Sequence, residues 1–106
     1  MSDLLRSQAD LLVLAVLQSG PEHGYAIIAQ IRERSEGKFD LPEGTVYPVL
    51  HRLEREGFLR SAWASAEGRK RRVYELTGVG RESLRSRQRE WQQFSAAMQS
   101  VVGVTS

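Results

Sequence analysis

EGTVYPVLHRLEREGFL, Glu43 to Leu59, is long, two-faced and bounded at both ends. At about 100 degrees per residue it divides cleanly: Val46, Val49, Leu50 and Leu53 share one side, while Gly44, Thr45, Pro48, His51, Arg52 and Arg55 share the other, with Tyr47 at the margin. The spacing predicts an amphipathic helix with Pro42 at its first helical position and Gly57 as its stop. No acid lies on the outward side, because Glu54 and Glu56 fall on its flanks. A row of hydroxyl, imidazole and guanidinium groups suits phosphates and base edges. A merely solvated helix face has the same composition. Pro48 removes one backbone hydrogen bond and frees the Gly44 carbonyl on the outward side. Either the helix runs through it, or the helix is shorter or kinked and starts nearer Thr45, and both keep that face exposed.

Upstream, Leu4, Leu5, Leu11, Leu12, Leu14, Ala15 and Leu17 recur at helical spacing and predict one amphipathic helix from Leu4 to Gln18, stopped by Gly20 and Pro21. A second helix is expected from His23 or Gly24 to Ser35, with Tyr25, Ile27, Ile28 and Ile31 on one stripe and Gly37 as punctuation. Lys38 to Leu41 reads as a connection. Downstream the period changes. Phe58 to Ala64 and Arg71 to Leu76, separated by the turn-rich Ser65 to Arg69, read as a hairpin whose second strand is basic. Thr77 can cap a long final helix from Val79 to Val102, although Gly78 and Gly80 predict a soft, frayed first turn. On that helix Leu84, Trp91 and Met98 stand seven apart, with Phe94 and Val101 three residues beyond Trp91 and Met98, and Arg87 interrupts the stripe.

Three helices, a hairpin and a terminal helix make the mainly α succession of a winged helix-turn-helix (three helices plus a β-hairpin wing) with a long C-terminal dimerisation helix. Residues 1–77 are expected to form the DNA-binding unit and 78–106 the dimerisation helix. About 75 residues bury only a marginal core, and an apolar heptad stripe needs a partner, so a homodimer is expected.

Charge supports a polyanionic partner locally: from residue 60 onward nine Lys and Arg face four acids, whereas residues 1–42 hold four against six. The run Arg69, Lys70, Arg71, Arg72 projects four cations from the hairpin, where neutralising phosphates would release counterions. Runs of this kind also serve only solubility.

With 106 residues, 41% hydrophobic and 26% charged, the chain has ordinary globular composition and room for one core. Its longest apolar run, Leu11 to Leu17, falls far short of the roughly 20 residues of a membrane span, and no leader precedes it, so a cytoplasmic protein without membrane contact is expected. With no Cys, thiolate metal sites and thiol nucleophiles are excluded. His23 and His51 share no metal-binding or general-base spacing, and His23 reads as a capping or solvated residue. No phosphate loop, nucleophile elbow or carboxylate pair is present, so no enzyme, metal or cofactor is expected.

Four stretches carry a family resemblance: HGY at His23 to Tyr25, EGTVYPVLHRLEREGFL from Glu43, GRKRRVYELT from Gly68 to Thr77, and GRESL from Gly80 to Leu84. The chain resembles the PadR family of bacterial transcriptional regulators, in its compact subgroup with one C-terminal helix, over nearly all of Leu4 to Met98. The resemblance implies a homodimeric repressor whose third helices enter successive major grooves of a roughly palindromic operator in double-stranded DNA. It further implies that Thr45, Tyr47, His51 and Arg52 make the recognition contacts, supported by Tyr25 and by Lys70, Arg71 and Arg72.

LLRSQADLLVLAVL from Leu4, together with Trp91, is similar to multidrug-sensing members, which implies an apolar space for a planar hydrophobic effector. Leu4, Ser7, Asp10, Leu11, Gln88, Trp91 and Ser95 would line it, with Phe94 and Met98 on the same dimer face. Gln88 departs from the aromatic residue such sensors can carry there. Trp91 either lines that space or is packed dimer core. Two rival functions share the fold: a winged-helix protein-interaction module, and a ligand-sequestering protein without an operator.

Overall fold

The computed structural model describes residues 2–103. Its elements follow in the order α1 (Asp3–Ser7), α2 (Ala9–Leu17), β1 (Glu22–His23), α3 (Gly24–Arg34), α4 (Glu43–Arg55), β2 (Leu59–Ala66), β3 (Arg69–Leu76) and α5 (Gly78–Val102). This is a mainly helical winged helix-turn-helix with a long terminal helix.

The core forms where the apolar sides of α2, α3 and α4 meet: Val13, Leu14 and Leu17 pack with Ile27, Ile31, Val46, Leu50 and Leu53, all at most 3% exposed. Leu41, Leu59, Tyr74, Leu76 and Leu84 close it from the connection, the hairpin and α5. Helix α4 runs unbroken through Pro48. Pro42 sits one step earlier than expected, as the N-cap, with extended backbone that proline accepts readily.

The expected helix from Leu4 to Gln18 is instead two helices meeting at Gln8. There the Ser7 hydroxyl donates to the Leu4 carbonyl at 2.7 Å, and the Gln8 N–H bonds back only three residues to Leu5, so the local hydrogen bonds tighten and the α-helical ladder stops. The ladder resumes when Leu12 N–H reaches the Gln8 carbonyl at 3.1 Å.

The sheet has the order β1-β3-β2, antiparallel throughout. In the hairpin Leu59 faces Leu76 and Trp63 faces Arg72, so every residue from 59 to 66 is paired. The turn is only Glu67 and Gly68, both at positive φ (53° and 76°), a primed turn that matches the strands' twist. It is therefore tighter than the Ser65 to Arg69 loop expected from composition. Strand β1 pairs Glu22 with Tyr74 and His23 with Val73, tying the start of α3 to the hairpin.

The first turn of α5 is firmly held, contrary to the fraying expected of two glycines. The Thr77 hydroxyl accepts from Gly80 N–H at 3.0 Å and donates to the Gly57 carbonyl at 2.7 Å. Gly80 is buried against the Phe58 backbone, with no room for a side chain. Beyond Gln88 the helix turns outward into solvent: Trp91, Phe94, Met98 and Val101 are 52%, 62%, 47% and 87% exposed. The long dimension of the chain, 52 Å, reflects this projecting rod.

Candidate nucleic-acid interface and apolar groove

Helix α4 buries Val46, Val49, Leu50 and Leu53 and exposes Gly44, Pro48, His51 and Arg55, with Thr45 and Tyr47 half-buried at the edge, as its periodicity predicts. Tyr25 departs from its expected place. Ile27 and Ile31 go into the core, but Tyr25, two residues earlier and so about 200 degrees round the helix, is 61% exposed beside α4. Its ring meets Tyr47 edge-on, with centroids 6.4 Å apart and planes at 78°. Gly24 makes this approach possible, because a Cβ there would stand 2.6 Å from the Tyr47 ring.

Glu43, at the start of α4, qualifies the acid-free face. A hydrogen bond to this carboxylate, and then its charge, hold the Tyr25 phenol above the ordinary range. Tyr47 is raised chiefly by burial and secondarily by Glu43. Arg71 acts in the opposite sense on both phenols.

His23 joins this group to the wing. Its Nδ1 accepts from Ala26 N–H at 3.4 Å, capping α3 as expected, while its Nε2 lies 2.7 Å from an Arg71 guanidinium nitrogen. A neutral imidazole accepts at one nitrogen only, so the cap and the Arg71 contact compete for the ring. Arg72 is also held: it donates to Ser61 at 2.8 Å, stands 3.9 Å from Glu54 and lies 5.4 Å over the Trp63 ring. Ser61 donates in turn to Glu54 at 2.6 Å, bracing the base of the wing against α4. Arg69 and Lys70 extend beyond these contacts, exposed at the wing tip.

Arg52, expected among the recognition contacts, is engaged by two carboxylates. It donates to Asp10 of α2 at 2.6 Å and to Glu56 at 3.0 Å. The hydrogen bond to Asp10 is the leading cause of its raised pKa. Asp10, expected in the effector space, is turned towards Arg52 and stands 3.5 Å from Arg87. The residue that interrupts the α5 stripe is thus directed inward: Arg87 donates to Ser83 at 3.0 Å and lies 5.8 Å from the Phe58 ring centre.

The apolar face of α5 and the N-terminal helices frame an open groove of about 850 Å³. Leu4, Leu11, Gln88 and Trp91, named for the effector space, line it together with Phe94, Leu5, Leu12 and Phe39. Ser7 lines a smaller depression of about 420 Å³ that shares Leu11, Trp91 and Phe94 with the groove. Asp10, Ser95 and Met98 line neither. Phe39 was hidden to the sequence reading inside an apparent connection, although an aromatic residue two places before the buried Leu41 is a signal that the segment packs. Among the described residues, no helix is long and apolar enough to cross a membrane.

Residues 13–86 match the Transcriptional regulator PadR-like family. The chain is 38% identical over 84 residues to the transcriptional regulator Rv3488 of Mycobacterium tuberculosis, covering 79% of this chain and 76% of that one. A PadR family transcription regulator from Clostridium difficile superposes with a TM-score of 0.81 at 31% identity, covering 90% of this chain and 98% of that one. A transcriptional regulator from Clostridium thermocellum superposes with a TM-score of 0.86 at 27% identity, covering 93% and 97%. Each of these proteins is a transcriptional regulator. A matching winged helix-turn-helix, matched again by sequence over most of its length, leaves one assignment: the chain belongs to the PadR-like family of transcriptional regulators.

Proposed function

We propose that two copies of this chain form a repressor that binds a roughly palindromic operator and is released when a small planar apolar effector enters the groove. One observation carries the DNA half of this reading: the exposed side of α4 meets Tyr25 at the start of α3, and the His23 that caps the same end of α3 holds Arg71 of the wing at 2.7 Å. Thr45, Tyr47 and His51 supply the groove contacts. Tyr25, Lys70, Arg71 and Arg72 supply backbone contacts. Recognition and attraction thus reside in separate elements, α4 and the wing. The solvent-facing stripe of Trp91, Phe94, Met98 and Val101 supports pairing through α5, since such a surface is costly to leave wet. Binding to chromosomal DNA implies work in the cytoplasm.

Replacing Arg71 and Arg72 by Ala is expected to weaken binding to all DNA sequences alike and to flatten the salt dependence by about two for each protomer, read from binding isotherms over a salt series. An unchanged slope would remove these side chains from the contact surface. An adaptor module would show no sequence preference above its nonspecific affinity, and a sequestering protein would keep its biological output after Tyr47 and Arg52 are replaced.

Trp91→Ala tests the groove. With Phe94, Met98 and Val101 still present, the dimer is expected to persist while affinity for the apolar dye anilinonaphthalene sulfonate falls about tenfold or more. Dissociation at unchanged dye affinity per dimer would assign Trp91 to packing instead. Sedimentation and fluorescence titration read the two quantities separately.

A further inference from the structure

We propose that Asp10 and Arg52 form a positioning joint that sets α4 against α5, so that Arg52 serves operator binding through this joint and without touching DNA. The inference rests on α4 being the DNA-reading element. One carboxylate, largely buried with 21% of its side chain exposed, is shared by cations from two other helices: Arg52 of α4 at 2.6 Å and Arg87 of α5 at 3.5 Å. Asp10 is therefore the point where α2, α4 and α5 are tied together by charge. Arg52 donates from both terminal nitrogens, from one to Asp10 and from the other to Glu56 at 3.0 Å. Aligning the whole fork with a base edge or phosphate would break these two charge-assisted hydrogen bonds, which hold it towards α2 and the end of α4.

The other half of the joint is equally fixed. Arg87 is steered by Ser83 and by the ring of Phe58, the residue that leads from α4 into the wing. Leu11 and Gln88, the immediate neighbours of Asp10 and Arg87, line the apolar groove. The angle at which α5 leaves the domain governs how two recognition helices in a dimer are spaced, and half-sites tolerate little error in that spacing. A joint between α4 and α5 bears directly on that geometry.

The test uses the full chain and an operator fragment on which the wild type is first shown to bind. Asp10→Asn keeps the shape and removes the charge; Arg52→Lys keeps the charge and removes the fork that spans Asp10 and Glu56. Each is expected to weaken operator binding about tenfold, with the dimer intact and the salt slope equal to that of the wild type. The double variant is expected to bind no more weakly than the worse single one, because both break the same joint. Arg52→Gln adds a direct check on contact: its salt slope should also be unchanged. A slope lower by about one per protomer would place Arg52 on a phosphate and overturn the proposal. So would unchanged operator affinity in Asp10→Asn, or losses that add. A wild-type chain with no sequence preference would fail before any variant is compared, and would overturn the DNA reading and with it this role of the joint.

Discussion

Leu53→Asp is expected to leave no folded domain. Leu53 is 0% exposed and lies on the inward side of α4, among Leu14, Ile27, Val46 and Leu50. A carboxylate there has no partner, and an ionised group without one costs more than the roughly 5–15 kcal/mol by which folded chains exceed unfolded ones. Protonation lowers the cost but leaves a polar group and a smaller side chain in a close-packed site. The far-ultraviolet circular dichroism spectrum should lose most of its helical signal at neutral pH, and the thermal transition should disappear. A cooperative melt within a few degrees of the wild type would contradict the face assignment of α4, and with it the identity of the exposed recognition side.

Gly80→Ala should be nearly as damaging, for a different reason. A Cβ at this position would stand 2.0 Å from the Phe58 carbonyl oxygen and 2.9 Å from its carbon. These are backbone atoms, so no rotamer change relieves the clash. That same oxygen accepts from Thr77 N–H at 3.1 Å, and the Thr77 hydroxyl caps α5, so shifting it disturbs the whole junction of hairpin and terminal helix. We expect a loss of about 3 kcal/mol, or roughly 10–20 °C in Tm, together with weakened dimerisation because α5 leaves its seat. Gly78→Ala is the control. Nothing lies within 4 Å of a Cβ there, so its stability should equal or exceed the wild type's by up to about 1 kcal/mol. If both variants melt alike, the close approach at Gly80 is not what holds α5 in place.

The contrast between these two glycines shows what a sequence conveys and what it withholds. Either one reads as a weak helix former, yet the tertiary approach of Phe58, more than twenty residues away, makes Gly80 indispensable and leaves Gly78 free. Helix α4 was legible because its buried residues recur at 3–4-residue spacing and its length exceeds three turns. The wing was legible from its turn residues and the exposed stripe of α5 from its heptads.

Arg52 was not legible, because its surroundings are set by a carboxylate 42 positions away, whereas periodicity reports only which side a residue leaves. Tyr25 was misread by grouping it with Ile27 and Ile31, which lie on the far side of α3. Strand β1 has two residues and no alternation to detect; it exists because β3 offers a free edge beside the start of α3. The break at Gln8 arises from a single hydroxyl capturing a carbonyl, too local an event for a hydrophobic pattern to record.

Protection mapping of the purified chain on DNA upstream of its own gene decides whether paired α4 helices read an operator. Two protected stretches about 10 base pairs apart, centre to centre, within an inverted repeat, lost when Tyr47 and His51 are replaced by Ala, are what two α4 helices in adjacent major grooves predict. Uniform protection without sequence preference, or protection that survives both replacements, would contradict that reading.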